Sequence, residues 1–248
     1  MEEQPLIATE AHVDRLEEWA VNFPFLQALI HLGLITSDSR VLDVGCGTGR
    51  LAWYLALITG CYVEGVEASS ALAAVAQRRI TCRHATWGIQ PVSDGAFDVV
   101  YCKDVLPSIE DKVSFLRSIY DVLPSKGCFM TCVAEALDFD EKPLYQALPG
   151  LRDSSFFAKG SAAQIRDDLH SIGFHEVTSL RLPLGRVAID ANYIAKHADG
   201  SFANADRMTA GENRDAWQRF SNAVAGLGES GIVMEYEWVR TFLVARRF

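Results

Sequence analysis

From Arg40 onward the chain alternates short apolar runs with amphipathic segments, and this alternation restricts the fold more than any other feature. The apolar runs are RVLDVG, CYVEGVE, ITCRHA, FDVVYC and GCFMTCVAE. Between them, LAWYLALIT, SALAAVAQRR and the stretch from about Glu110 to Leu123 carry apolar residues at helical spacing. Short strands buried on both faces and joined by helices predict a parallel sheet covered by helices on both sides. A further helix is expected to start at Ser161, where Ser161 and Gln164 have capping-box spacing, and to end at Gly173. Strands from Phe174 to Leu182 and from Tyr236 to Arg247 complete the pattern.

The regions outside this pattern are expected to decorate it. Residues 10 to 34 place Leu16, Trp19, Ala20, Phe23, Leu26, Leu29, Ile30 and Leu34 at helical spacing, which predicts two short helices on either side of a break at Pro24. Residues 183–233 separate the last two strands, a length that in a compact domain is either functional or disordered. They include a predicted helix from about Asn213 to Leu227 with Trp217, Phe220, Val224 and Leu227 on one face, read as an inserted substrate lid. The domain plan is therefore 1–36 as an N-terminal helical lid, 37–182 with 234–248 as the main domain, and 183–233 as the insertion.

Composition narrows the function. With 248 residues, 49% hydrophobic and 22% charged, the chain reads as an ordinary globular protein. It has no stretch of about 18 uninterrupted apolar residues, and its start, MEEQ, lacks the features of a signal peptide, so a cytoplasmic protein without membrane association is expected. Its six cysteines form no CxxC pair and sit mostly in apolar runs, which predicts reduced structural thiols and no metal site. A net charge of −9 opposes binding to phosphate backbones, so nucleic acid is not the expected substrate.

The turn VLDVGCGTGR identifies the ligand end of the sheet. Val41 to Val44 reads as a buried strand, Gly45, Gly47 and Gly49 as the turn, and Leu51 onward as a helix; ligands of doubly wound sheets bind at such turns. The nicotinamide fingerprint G-x-G-x-x-G fails, because Arg50 stands where its third glycine belongs. Asp43, just before the turn, would repel a pyrophosphate but suits a ligand with an ammonium and a sulfonium group. At the end of the second strand, Glu67 stands where an acid accepts hydrogen bonds from two ribose hydroxyls.

On these residues, Arg40 to about Cys132 resembles the core of class I S-adenosylmethionine-dependent methyltransferases. Asp43, Gly45, Gly47 and Gly49 match the family's D-x-G-x-G-x-G motif, Glu67 its acid after the second strand, ATWGIQPVSDGAFD its segment before the fourth strand, and PSKGC its turn before the fifth. The resemblance implies a doubly wound, seven-stranded, mostly parallel α/β sheet with an antiparallel last strand, N-terminal helices and a helical insertion before that strand. It implies S-adenosylmethionine as cofactor, held by Asp43, Gly45, Cys46, Gly47, Thr48, Gly49, Glu67, Ala68, Thr86, Trp87 and Lys103, with S-adenosylhomocysteine as product. The methyl acceptor would be a small molecule attacking through nitrogen, oxygen, carbon or sulfur, and the protein a monomer or homodimer.

The chain departs from the family in two places. Thr86 stands where relatives usually have the Asp that meets the adenine amino group, with Trp87 beside it. After the fourth strand, KDVLPSIED has Pro107 and Ser108 where many relatives carry a pair of histidines, whose chemistry therefore does not carry over; Asp104, which follows that strand where the cofactor's methyl group is expected to face the acceptor, is the catalytic candidate. Trp19, Phe23, Phe25, Tyr193 and Tyr236 are the candidates for a substrate lid. The alternative reading is a non-methylating member of the same fold that keeps the cofactor structurally or catalyses another reaction on a small metabolite.

Overall fold

The computed structural model describes residues 19–85, 96–133, 135, 161–189, 215, 218, 219, 222 and 234–248. The apolar runs become strands β1 (Arg40–Val44), β2 (Tyr62–Glu67), β3 (Thr81–His84), β4 (Val99–Lys103) and β5 (Cys128–Val133). The amphipathic segments become α2 (Arg50–Thr59), α3 (Ser70–Ala76) and α4 (Lys112–Val122), with α5 (Ala162–Ile172) after β5. Local chemistry fixes their ends: Ser69 caps α3 by accepting from the Leu72 amide at 3.4 Å, and Asp111 caps α4 by accepting from Ser114 at 3.0 Å. At the other end of α4, the Arg247 guanidinium donates to the carbonyls of Tyr120, at 2.7 Å, and Leu123, where a cation also complements the helix dipole.

The strands form one seven-stranded sheet in the order β3-β2-β1-β4-β5-β7-β6, where β6 is Phe174–Ile189 and β7 is Met234–Arg247. β1 pairs in parallel with β2 and β4, β2 with β3, and β4 with β5. The last strand runs antiparallel: near its end the Arg247 amide donates to Gly127 at 3.0 Å and its carbonyl accepts from Lys126, just before β5 begins. The resulting fold is the doubly wound, mostly parallel sheet expected from the alternation. Order reverses on either side of β1 and β4, the place where such sheets bind ligands at the carboxyl ends of their strands.

Two boundaries differ from the sequence expectation. A single helix, α1 (Trp19–Gly33), passes through Pro24 where a break was predicted. Proline removes one backbone bond, to the Ala20 carbonyl, at about 3 kcal/mol. Burial of Phe25, Leu26 and Leu29, at roughly 1.5–3 kcal/mol each, outweighs that loss. Likewise β6 continues to Ile189 rather than stopping at Leu182; it is an edge strand, the place in a sheet where proline is tolerated.

Two compact units divide the chain: Met1–Val133, Ala162–Leu180 and Phe242–Phe248 in the first, Ala134–Ser161 and Arg181–Thr241 in the second. The first unit's core joins Leu42, Val44, Val100 and Phe129 of the central strands to Leu116 and Ile119 of α4 and Leu169 of α5. All six cysteines are buried and free, as expected of structural thiols. In the second unit Thr241 donates to Glu135 at 3.1 Å, and Asp215, Gln218, Arg219 and Asn222 are helical and exposed. Those four are among the polar positions of the helix predicted from about Asn213 to Leu227, whose apolar face lies outside the described residues. Among the described residues no helix is long and apolar enough to cross a membrane.

Candidate functional site

The turn between β1 and α2 is held open by its own backbone. Gly45, Gly47 and Gly49 all have positive φ, at 75°, 58° and 73°. At Gly45 a side chain would also overlap Val105, so glycine alone fits. The Gly45 and Cys46 amides donate to the Val66 carbonyl at 2.7 and 3.1 Å, tying the turn to the end of β2. Arg79 donates to the Thr48 carbonyl at 3.0 Å from beneath.

Glu67 completes the tie. Its Oε2 accepts from the Gly47 amide at 2.8 Å and its Oε1 from the Ser69 amide at 2.8 Å. The acid predicted to meet ribose hydroxyls therefore also staples the glycine turn to the start of α3. Each carboxylate oxygen has two acceptor directions, so one remains on each for a vicinal diol. Ala68 follows, half-buried, with its carbonyl 3.1 Å from His84 Nε2.

Asp43 is 2% exposed at the end of β1, in register with Gly65 on β2 and Tyr101 on β4. The Tyr101 hydroxyl donates to its Oδ2 at 2.6 Å. Burial pushes the Asp43 carboxyl up to about 7; the Tyr101 hydrogen bond and the Lys103 charge oppose this, and the nearby Glu67 charge adds to it. Near neutral pH this carboxylate is thus poised, and a cation beside it would complete its ionisation.

At the end of β4, Lys103 and Asp104 form an ion pair at 3.0 Å, and the Lys103 ammonium lies 5.9 Å from the centre of the Phe25 ring. Asp104 has φ 58°, a left-handed conformation that Asp tolerates better than most residues and that often marks a functional turn. Its Oδ1 lies 4.0 Å from Cys132 Sγ at the end of β5.

The structure thus gathers Asp43, Gly45, Cys46, Gly47, Thr48, Gly49, Glu67, Ala68, Lys103 and Asp104 at the carboxyl ends of β1, β2 and β4. Within this set the Cys46 side chain turns inward, with its Sγ 3.5 Å from Cys82 in a small core of Ala73, Ala76 and Ile80, so only its backbone faces the turn's ligand. Phe25, a lid candidate, has no exposed surface and packs 5.3 Å from Phe242 and 6.3 Å from Tyr101, which makes it a core residue. Phe23 is partly exposed on α1, Trp19 begins that helix, and Tyr236 is half-buried on β7 in the second unit. Thr86, Trp87 and Tyr193 lie outside the described residues.

Sequence reasoning missed Tyr101. The signal was a hydroxyl-bearing residue inside the otherwise apolar strand VVYC, since a buried tyrosine needs an acceptor. It also missed Gly65, where an added Cβ would stand 2.7 Å from Cys46 Sγ.

A glycine turn flanked by two buried acids thus stands at the reversal point of a doubly wound α/β sheet, the position where such domains take their ligands. Residues 42–131 match the family model described as a methyltransferase domain. That match runs from β1 to β5 and includes the glycine turn and both acids. It is 29% identical over 150 residues to sarcosine/dimethylglycine N-methyltransferase of Halorhodospira halochloris, covering 57% of this chain and 53% of the relative. It is 34% identical over 95 residues to phosphoethanolamine N-methyltransferase 1 of Zea mays, covering 36% of this chain and 19% of the relative. The chain therefore spans between a fifth and about half of these relatives' lengths. Its fold matches phosphoethanolamine N-methyltransferase 2 of Haemonchus contortus, solved with phosphomonomethylethanolamine and S-adenosylhomocysteine, with a TM-score of 0.57 at 16% identity, covering 97% of this chain and 58% of the other.

Proposed function

We propose that the protein transfers a methyl group from S-adenosylmethionine to a small-molecule nucleophile and releases S-adenosylhomocysteine. The observation that carries this reading is the pair of buried acids beside the glycine turn: Glu67, with acceptor directions left for a diol, and Asp43, a carboxylate lacking a full counter-charge. A dinucleotide would place its pyrophosphate against Asp43. The cofactor supplies, when bound, a methyl group on a positively charged sulfur that is already a good leaving group.

The chain's own residues then have defined tasks. Glu67 holds the turn and accepts from the ribose hydroxyls, while Asp43 attracts the ammonium of the amino-acid part. Gly45, Gly47 and Gly49 let the backbone approach closely. Asp104, fixed by Lys103 at the end of β4, stands as the acceptor for the proton that the attacking group loses. Holding two reactants in line is worth up to roughly 7–11 kcal/mol of barrier in model systems, so alignment is the larger contribution and the base is secondary.

The acceptor is a small molecule in this reading, supported by the relatives' names, which specify amines: phosphoethanolamine, sarcosine and dimethylglycine. We also infer a cytoplasmic protein without a membrane partner, in keeping with a sequence that has no run of about 18 apolar residues, and no nucleic-acid partner, on the strength of its net charge of −9. Calorimetry with S-adenosylhomocysteine tests the cofactor site: tight binding that Asp43→Ala and Glu67→Ala each abolish is expected, and no binding to the wild type overturns the reading. Incubation of a metabolite extract with cofactor labelled in its methyl group, followed by mass spectrometry, identifies the acceptor.

A further inference from the structure

The apolar strand β4 carries one hydroxyl into the centre of the sheet, and it goes to an acid of the cofactor turn. Tyr101 is fully buried, stands in direct register with Asp43 across the β1–β4 pair, and donates to Asp43 Oδ2 at 2.6 Å. On the other side of Asp43 the register partner is Gly65, which offers no side chain at all. Among the hydrogen bonds of the described residues, the phenol is the donor that reaches this carboxylate.

We propose that Tyr101 is a positioning residue for cofactor capture, its hydroxyl holding the Asp43 side chain as an oriented anion ready for the ammonium group of S-adenosylmethionine. The inference rests on the cofactor reading above and adds to it a fully buried residue that acts through Asp43.

Electrostatics around Asp43 supports this division of labour. From β4, Lys103 favours the anion; from β2, Glu67 disfavours it; Cys46 of the turn, Cys82 of β3 and Cys102 of β4 also lie within its electrostatic reach. Contact with Cys82 and burial keep the Cys46 thiol neutral. Burial and the Asp43 charge push the Tyr101 hydroxyl well above its ordinary value, so it remains a donor throughout the physiological range. Burial alone would leave Asp43 protonated; the Tyr101 bond is the largest force opposing it.

The test is S-adenosylhomocysteine affinity measured by calorimetry from pH 5.5 to 8.5 on the full chain. In the wild type, affinity should fall about tenfold per pH unit below a midpoint near neutrality, as Asp43 takes up a proton. Tyr101→Phe keeps the ring and removes the hydroxyl; its midpoint should move up by about one pH unit, so that affinity drops about tenfold at pH 7 and recovers by pH 8.5. Asp43→Asn should bind weakly with no midpoint in this range. Replacing tyrosine throughout with 3-fluorotyrosine, a stronger hydrogen-bond donor of nearly the same shape, should move the midpoint down, and serves if Tyr101→Phe does not fold. A loss that is uniform across pH, or an unmoved midpoint in both altered proteins, overturns the Tyr101 proposal while leaving the cofactor site intact. No binding by the wild type at any pH overturns the cofactor reading instead.

Discussion

Asp43 and Glu67 sit on neighbouring strands beside the same turn, both almost fully buried, yet their charges are satisfied in different ways. Glu67 takes two backbone N–H groups, from Gly47 and Ser69, so its negative charge is part of what holds the turn together. Asp43 takes one neutral phenol, and burial lifts it to about 7. The contrast separates two situations of a buried acid: one that builds the site from donors already present, and one left short of a full counter-charge. Substitutions at each should therefore move stability in opposite directions, although both weaken cofactor binding.

The largest effect is expected from Asp43→Asn. Asp43 holds its proton more firmly folded, at about 7, than unfolded, at 3.8, so its contribution to stability falls as pH rises through that window and stays low above it. Asparagine cannot ionise, and the variant should exceed the wild type at pH 8 by up to about 4 kcal/mol, with the difference gone by pH 4. Urea denaturation at both pH values measures it; a variant less stable at pH 8 would show that Asp43 is not held against its charge. Glu67→Ala should instead lose about 3 kcal/mol at pH 8, from two backbone donors left without an acceptor, and Glu67→Gln should recover part of it. Equal stability of the wild type and Glu67→Ala would mean that the turn stands without its staple.

This contrast was only half legible in the sequence. The alternation of apolar runs gave the sheet, because parallel strands buried on both faces must be apolar throughout. The glycine spacing marked the turn, because three positive φ angles within five residues leave no other residue type comfortable. Both acids were identifiable by their place after strands, but the difference between them was not, since it depends on Tyr101, which lies 58 residues away from Asp43 in sequence and one strand away in space. The passage of α1 through Pro24 and the length of β6 escaped for a related reason: local rules for proline yield to tertiary burial and to an open sheet edge.

Gly65 sharpens the comparison from the Glu67 side. In β2, two residues before Glu67, its missing side chain is the space occupied by Cys46; an added Cβ would stand 2.7 Å from Cys46 Sγ and 2.9 Å from Ile80 Cδ1. Gly65→Ala should therefore lose about 2 kcal/mol, as overpacked sites do, and weaken cofactor binding by shifting the turn. Cys46→Ala in the same chain removes the clashing sulfur and should restore more than half of that loss, giving a coupling energy of about 1 kcal/mol in a double-mutant cycle. Strict additivity of the two changes would show that the turn and β2 are not packed against each other through this pair.

Asp104 is the smallest expected effect on stability and the clearest separation of binding from chemistry. Its ion pair with Lys103 is partly exposed, with side-chain exposures of 33% for Asp104 and 19% for Lys103, and such pairs contribute under about 1 kcal/mol. Its φ of 58° is unfavourable for alanine by roughly 1–2 kcal/mol but free for glycine. Asp104→Ala should thus lose about 1 kcal/mol, whereas Asp104→Gly should stay within about 0.5 kcal/mol of the wild type, the relief at this angle offsetting the lost pair. If the carboxylate accepts the proton of the attacking group, both variants should keep wild-type affinity for S-adenosylhomocysteine and lose about a hundredfold in turnover of the methyl acceptor, in the lower part of the range that general-base removal produces. Turnover that follows stability, falling in Asp104→Ala and preserved in Asp104→Gly, would assign Asp104 to the shape of the β4 turn and leave the displacement to alignment alone.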